Sequence, residues 1–380
     1  MKRITPLKKY APAIVFCAFI AVMTMLFWAL PKQDFSPDEK RVLESPPSFT
    51  LKSLSDGSFG KSVENYLSDH FAGRKLFVGL NAYYNLFSGR NGAGDIYLGN
   101  DGYLINQPVV FDQEKLQKNV DDINAFVRSA NVPAVMAVVP STGYVMEQSL
   151  PAVHKPYHDG EILDALSASL DTSVQFVDFR SPFLKQREQA QLYYKTDHHW
   201  TSEGAYWGYH TLGTALGYMP GEPAQYQIER YEGFYGTTYS HSGYWLTAPD
   251  TIEIWKNPSL TNLSVRIEET GKPAQESNSL FFPSHLEETD KYPVFLDGNH
   301  GYTKITNADA PKGKLLLIKD SFGHCLAPFL AEQYKEIYMV DLRYYKTALT
   351  RLIKEEEIDQ ILILYGLDNM VNDTNFMWLK

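Results

Sequence analysis

Residues 11–30, APAIVFCAFIAVMTMLFWAL, carry no charged side chain, the pattern of a helix able to cross a bilayer core of about 30 Å. Lys2, Arg3, Lys8 and Lys9 precede the run, while Lys32, Lys40 and Arg41 follow it interspersed with Asp34, Asp38 and Glu39. That bias places residues 1–10 in the cytoplasm and everything after residue 30 outside. No small-residue cleavage site closes the run, which ends Phe27-Trp28-Ala29-Leu30. The expectation is therefore an uncleaved, single-pass signal anchor at a cell membrane.

Residues 31–60, rich in Pro, Ser, Asp and Lys, read as a juxtamembrane stalk. From about Gly60 to Phe87 apolar positions such as Val63, Tyr66, Leu67 and Phe71 recur at helical spacing. GDIYLGNDGYLI (94–105) reads as two strands turned at Asn100-Asp101-Gly102. A different pattern then takes over. Helical spacing over 113–130 feeds the apolar run VPAVMAVVP (132–140), and EILDALSASL followed by VQFVDF repeats helix and strand. KLLLIKD (314–320), EIYMVDL (336–342) and DQILILY (359–365) add three strands with helices between them. Short runs that are apolar throughout suit strands covered on both faces, so the pattern predicts a three-layer α/β/α sandwich on a mostly parallel sheet across 61–380. Helical signal is lost between about 218 and 310, which predicts an insertion of short strands and long loops.

Composition narrows the function. The 380 residues are 44% hydrophobic with a formal net charge of −10, and no stripe of Lys and Arg offers a nucleic-acid surface. Cys17 lies in the apolar run and Cys325 is alone beyond it, so the exported part has no internal disulfide.

Candidate chemistry centres on YYKTDHHWTSEG (193–204). In an extended segment Asp197 and His199 share a face and His198 points away, just before a helix capped by Thr201 or Ser202 and running to about Leu216. A carboxylate two residues from a histidine can fix the imidazole's tautomer. The matching hydroxyl is Ser321 in LLLIKDSFGH, where an apolar strand ends and a helix opens, the edge at which open α/β sheets bind ligands. Its own N–H is an oxyanion donor candidate. Three other readings stand beside this one: a serine that only caps its helix, structural hydrogen bonding at Asp197 and His199, and metal ligation by Asp197, His198, His199 and His210. Adjacent histidines do not readily reach one ion and no H-E-x-x-H spacing occurs, so no metal or cofactor is assigned.

Asp197-His198-His199-Trp200 resembles the signature of the DHHW family of bacterial exported proteins, which is similar in turn to the SGNH-hydrolase-like domains of alginate O-acetyltransferases. FSPDEKRVLESPPSFT, ENYLSDHFAGR, YLGNDGYLI, GFYGTTYSHSGYW and LLIKDSFGHCLAPFL extend the resemblance over nearly the whole exported chain. It implies an SGNH-like fold with permuted motif order, and a triad of Ser321 as nucleophile, His199 as base and Asp197 as its partner. Lys319 stands where relatives have Gly, and His198 where they have small polar residues. Which of the two histidines is the base stays open, with alternation favouring His199. Gly298 and Asn299, in FLDGNHGY, are further oxyanion candidates, although a plain turn explains them as well. His198, Trp200, Arg343, Tyr345 and Tyr235 are candidate substrate contacts, with aromatic packing as the alternative.

The expected function is an exported, membrane-anchored serine acyl-transfer enzyme, an O-acetyltransferase acting on a cell-envelope or secreted polysaccharide. The resemblance implies a glycan acceptor and a multipass membrane acyltransferase that supplies the acetyl group. A carbohydrate O-acetylesterase, a non-catalytic glycan-binding or scaffold protein, and a metal-dependent hydrolase are the alternatives.

Overall fold

The structure, a computed structural model, describes residues 6–36 and 39–379; Lys2 and Arg3 of the N-terminal charge cluster, and Asp38, lie outside the described residues. Packing divides the chain into two compact units, one comprising Met1–Arg90 with Gly243–Trp245 and the other Asn91–Ser242 with Leu246–Lys380.

The first unit contains α1 (Pro6–Ala29), the short pair β1 (Phe35–Ser36) and β2 (Arg41–Val42), then α2 (Leu51–Ser55), α3 (Ser58–Asp69) and α4 (Arg74–Phe87). By length and composition α1 is able to cross a membrane, and almost none of it is buried. The helical stretch expected over 60–87 comprises two helices. Gly73, at φ +69°, turns the chain between them in a conformation that costs glycine little. Arg41 pairs with Glu39 at 2.8 Å and also with Asp69, and Arg74 pairs with Glu39 at 2.7 Å.

The second unit opens with the hairpin β3 (Ile96–Leu98) and β4 (Leu104–Asn106), turned where Asp101 and Gly102 take φ of 55° and 80°. Next come α5 (Gln113–Ala130), β5 (Ala134–Val139), α6 (Thr142–Val145), α7 (Asp159–Ser169), β6 (Val174–Asp178), α8 (Arg180–Gln186) and α9 (Ser202–Leu216). The region 218–310 supplies β7 (Gln227–Phe234), α10 (Thr237–Ser242), β8 (Asp250–Lys256), β9 (Leu263–Glu268), β10 (Gln275–Ser277) and β11 (Tyr302–Asn307). Then β12 (Lys312–Lys319), α11 (Phe322–Leu330), β13 (Tyr334–Val340), α12 (Leu349–Glu355), β14 (Gln360–Gly366) and α13 (Leu367–Asn372) complete the unit.

Eight strands form one sheet in the order β10-β9-β11-β13-β12-β14-β5-β6. The run from β13 to β6 is parallel, whereas β11, β9 and β10 join antiparallel at one side. Three strands of the 218–310 region thus extend the main sheet, while β7 and β8 make a separate antiparallel ribbon.

Apolar runs become parallel strands here because both faces are covered. Leu315 and Leu317 face a core that includes Trp200, Tyr209 and Phe329, and Leu316 and Ile318 face the opposite core with Phe126, Leu163 and Ile353. All four strand residues are fully buried. At roughly 1.5–3 kcal/mol for burying each such side chain, a charge at any of the four would break the strand. The result is the three-layer α/β/α sandwich with a mostly parallel sheet.

Strand order reverses at β12. The chain leaves it for β13 on one side and returns to β14 on the other. Such a switch point leaves a crevice beyond the strands' carboxyl ends, where open α/β sheets place their ligands.

Candidate active site

Ser321 stands at that crevice, immediately after β12 and before α11. It takes the N-cap position, yet its side chain caps nothing. Its Oγ lies 2.6 Å from His199 Nε2, and His199 Nδ1 lies 2.5 Å from Asp197 Oδ1. Residue exposures of 7%, 5% and 1% for Ser321, His199 and Asp197 put this chain of contacts out of bulk water. With Nδ1–H donating to the carboxylate, Nε2 is left to accept the serine proton. A hydroxyl so placed can surrender its proton to the imidazole as it attacks an electrophile. Among the described residues no partner for the Ser321 N–H is found, so that donor is available to an oxyanion formed at the serine.

The acid and the histidine meet for a different reason from the one alternation predicts. Residues 192–201 fold back on themselves: Tyr194 N–H donates to the His199 carbonyl at 3.2 Å, and Thr201 N–H to Leu192 at 2.9 Å. Within that bend Asp197 Oδ1 also accepts the His199 N–H at 2.9 Å, so one carboxylate holds both backbone and ring. His198 accordingly does not point away. Its ring lies 4.0 Å from that of His199, with Nδ1 at 3.8 Å from Asp197 Oδ1.

Two distant segments clamp the bend. Asp250, at the start of β8, accepts the Thr196 N–H at 2.7 Å, the Thr196 hydroxyl at 2.6 Å and the Lys195 N–H at 3.0 Å. Thr237 N–H, at the start of α10, donates to Asp197 Oδ2 at 2.6 Å. Gly236 makes that approach possible, because a Cβ there would fall 2.1 Å from Asp197 Cβ. The serine side is tied in turn. Asp320, whose carboxyl burial pushes up, accepts from Gly366 N–H (2.7 Å), the Asn369 amide (2.8 Å) and Phe322 N–H (2.9 Å).

Tyr292 joins the halves, stacked on His199 with centroids 4.0 Å apart while its hydroxyl donates to the Ser321 carbonyl at 3.1 Å. Trp200 also ties the two segments, its Nε1–H donating to the Phe322 carbonyl at 3.1 Å. Nothing local in the sequence marks Gly236, Asp250, Tyr292 or Asn369, since each acts through a contact far along the chain.

The remaining sequence candidates are dispersed. Trp200 is fully buried and braces the serine side through Phe322. Gly298, at φ +84°, packs on Pro293 in the turn before β11, and Asn299 Oδ1 accepts from Arg343 at 3.0 Å. Arg343 is further held by Asp341 at 2.6 Å. Tyr345 stacks on Tyr302, and the Tyr235 ring lies tilted against Tyr239 with centroids 4.2 Å apart. Lys319 is buried with its Nζ 2.5 Å from His324 Nε2 and 3.4 Å from Asp341 Oδ2. Burial brings its pKa down to about 8 and holds His324 well below the usual range.

The ligand atoms of Asp197, His198 and His199 lie within 4.8 Å of one another, close enough to suit one ion. Against this, both His199 nitrogens and both Asp197 oxygens already face protein partners. His210, on the exposed face of α9, is not in that group.

A cleft of about 240 Å³ opens beside Ser321, lined in part by His198, Phe322, Thr237, Ser141, Asp368 and Asn369. Ser321 and His199 are not in its lining, but their immediate chain neighbours are.

Fold and switch-point serine together define an SGNH-hydrolase-like α/β/α domain. Residues 179–340 match the DHHW protein family model. Among solved structures it is similar to a DHHW family protein from Eubacterium siraeum, at 23% identity and TM-score 0.67 over 75% of this chain and 95% of that one. It is also similar to Bacillus cereus PatB1 carrying a sulfonyl adduct, at 22% identity and TM-score 0.65 over 75% and 98%. The O-acetyltransferase domain of Pseudomonas putida AlgJ aligns at 15% identity and TM-score 0.47 over 73% and 92%. No curated protein matches the chain.

Proposed function

We propose that this chain is a membrane-anchored serine acyl-transfer enzyme that O-acetylates a cell-envelope or secreted polysaccharide. The observation that carries the reading is the 2.6 Å contact between His199 Nε2 and Ser321 Oγ, with Asp197 behind the imidazole.

His199 takes the Ser321 proton as Oγ attacks an acetyl carbonyl, and Asp197 stabilises the imidazolium that forms. The Ser321 N–H steadies the tetrahedral oxyanion, a contribution of order 10²–10³ in rate for one donor. Collapse expels the donor's leaving group with the proton from His199, leaving acetyl-Ser321. An acceptor hydroxyl then gives its proton to His199 and attacks the acyl carbon. The second collapse forms the acetylated acceptor and returns the proton to Ser321. We read α1 as the anchor that keeps this unit on the outer side of a membrane, where a multipass partner can hand over the acetyl group. A carbohydrate O-acetylesterase, with water as acceptor, is the second reading, favoured by a cleft beside the serine that is open to solvent.

The test uses the full chain in detergent with p-nitrophenyl acetate, with and without oligosaccharide acceptors. Release of p-nitrophenolate that disappears in Ser321→Ala, with acetylated acceptor found by mass spectrometry, supports transfer. Release with no acetylated product points to the esterase, and no release points to a binding or scaffold protein.

A further inference from the structure

We propose that the cleft beside Ser321 is the acceptor subsite and that it takes a single uncharged sugar ring, with Asp368 accepting hydrogen bonds from the ring's hydroxyls. The proposal rests on the reading of Ser321 given above and narrows its substrate class.

Size sets the first limit. Pockets for drug-sized ligands run from about 300 to 1,000 Å³, and this one, at about 240 Å³, lies below that range. It suits one ring of a polymer with its neighbours outside. The walls set the second. Asn106, Ser141, Thr142, Thr237, Asp368 and Asn369 bring amide, hydroxyl and carboxyl groups to a cleft whose other walls, Val139, Pro140, Phe322 and Leu367 among them, are apolar. The amides and hydroxyls among them bond a sugar hydroxyl in either direction.

Charge sets the third limit. Asp368 and Asp159 both lie against Ser141: the Ser141 N–H donates to Asp159 Oδ1 at 2.7 Å, and its side chain reaches towards both carboxyls. Burial, and then the neighbouring Asp159, bring Asp368 up to about 6, so near neutrality it carries charge in a place that already resists it. Among the described residues no Lys or Arg lines the cleft; Lys155 bonds Gln107 Oε1 at 2.8 Å without itself lining it. An acceptor bearing its own carboxylate would set a second negative charge against Asp368. A neutral polyol meets a carboxylate acceptor without that repulsion.

Binding is measured with the full-length Ser321→Ala chain in detergent, by ligand-observed NMR. The probes are neutral disaccharides (cellobiose, mannobiose and diacetylchitobiose) and digalacturonate. At least one neutral disaccharide should bind about tenfold or more tightly than digalacturonate. Asp368→Asn should weaken it by about tenfold, the scale of a hydrogen bond to a charged group. Thr142→Val, which touches no charge, should weaken it as well. Digalacturonate binding as tightly as every neutral probe, no neutral binding, or unchanged affinity in Asp368→Asn would overturn the proposal. If Ser321 is acylated in the wild type but no neutral sugar binds, the subsite fails and the serine chemistry stands. If a neutral sugar binds while Ser321 is never acylated, the sugar site stands and the serine chemistry fails.

Discussion

The phenol of Tyr292 lies within 9° of parallel to the His199 imidazole, and its hydroxyl donates to the Ser321 carbonyl. One side chain therefore sets the tilt of the base and the position of the backbone that presents the hydroxyl. Complete burial keeps its pKa far above the phenolic range, so it remains a neutral donor. Tyr292→Phe keeps the stack and loses one hydrogen bond, which should cost about 1 kcal/mol of stability and only a small part of the rate. Tyr292→Ala loses both and should cost about 3–5 kcal/mol, with a shifted pH–rate profile in whatever activity remains. Thermal unfolding beside turnover at several pH values checks the pair.

Gly236→Ala should remove activity while leaving the sheet intact. The new methyl would collide with Asp197 Cβ, so the carboxylate must retreat from His199 Nδ1 or the α10 start must move. Loss of turnover with an unchanged circular dichroism spectrum is the expected result. Activity near the wild-type level would mean that Asp197 is not needed where it stands.

Asp368 should make the protein less stable as pH rises. Its folded pKa of about 6 exceeds the unfolded value near 3.9, so the folded state binds more protons between the two. Stability then falls as pH climbs through that window and levels off above it. Asp159 and Asp320 are shifted the same way and add to the trend. Asp368→Asn should unfold at a higher temperature than wild type at pH 7, with the advantage gone at pH 4. Calorimetry at both values reads it directly.

Chelation should leave turnover unchanged. A metal on Asp197 and His199 would have to displace Ser321 Oγ or the Thr237 N–H from groups they already hold. The rate after dialysis against EDTA, compared with metal content, tests this.

Periodicity and runs of apolar residues suffice to read the layered sheet, because a strand buried on both faces has no polar alternation to hide it. Asp197, His199 and Ser321 are legible as residue types near element boundaries, and the structure brings them together. Strand alternation is nonetheless not what pairs the first two: a backbone bend, closed by the Asp197 carboxylate itself, replaces the extended strand. A carboxylate that caps its own loop competes with extended structure, and pattern alone does not weigh that. Gly298 and Asn299 have the residue types of oxyanion donors but lie with Pro293 and Arg343 instead. Tyr292 and Asp250 carry no sequence signal, because a tyrosine in a loop and an aspartate at a strand start are ordinary until a partner dozens of residues away meets them.

The most direct measurement treats the full chain with phenylmethylsulfonyl fluoride and maps the adduct by peptide mass spectrometry. A single adduct on Ser321, formed much more slowly in Asp197→Asn and not at all in His199→Ala, is what an imidazole-activated hydroxyl requires. An unmodified Ser321, or labelling that proceeds equally well without His199, would contradict it.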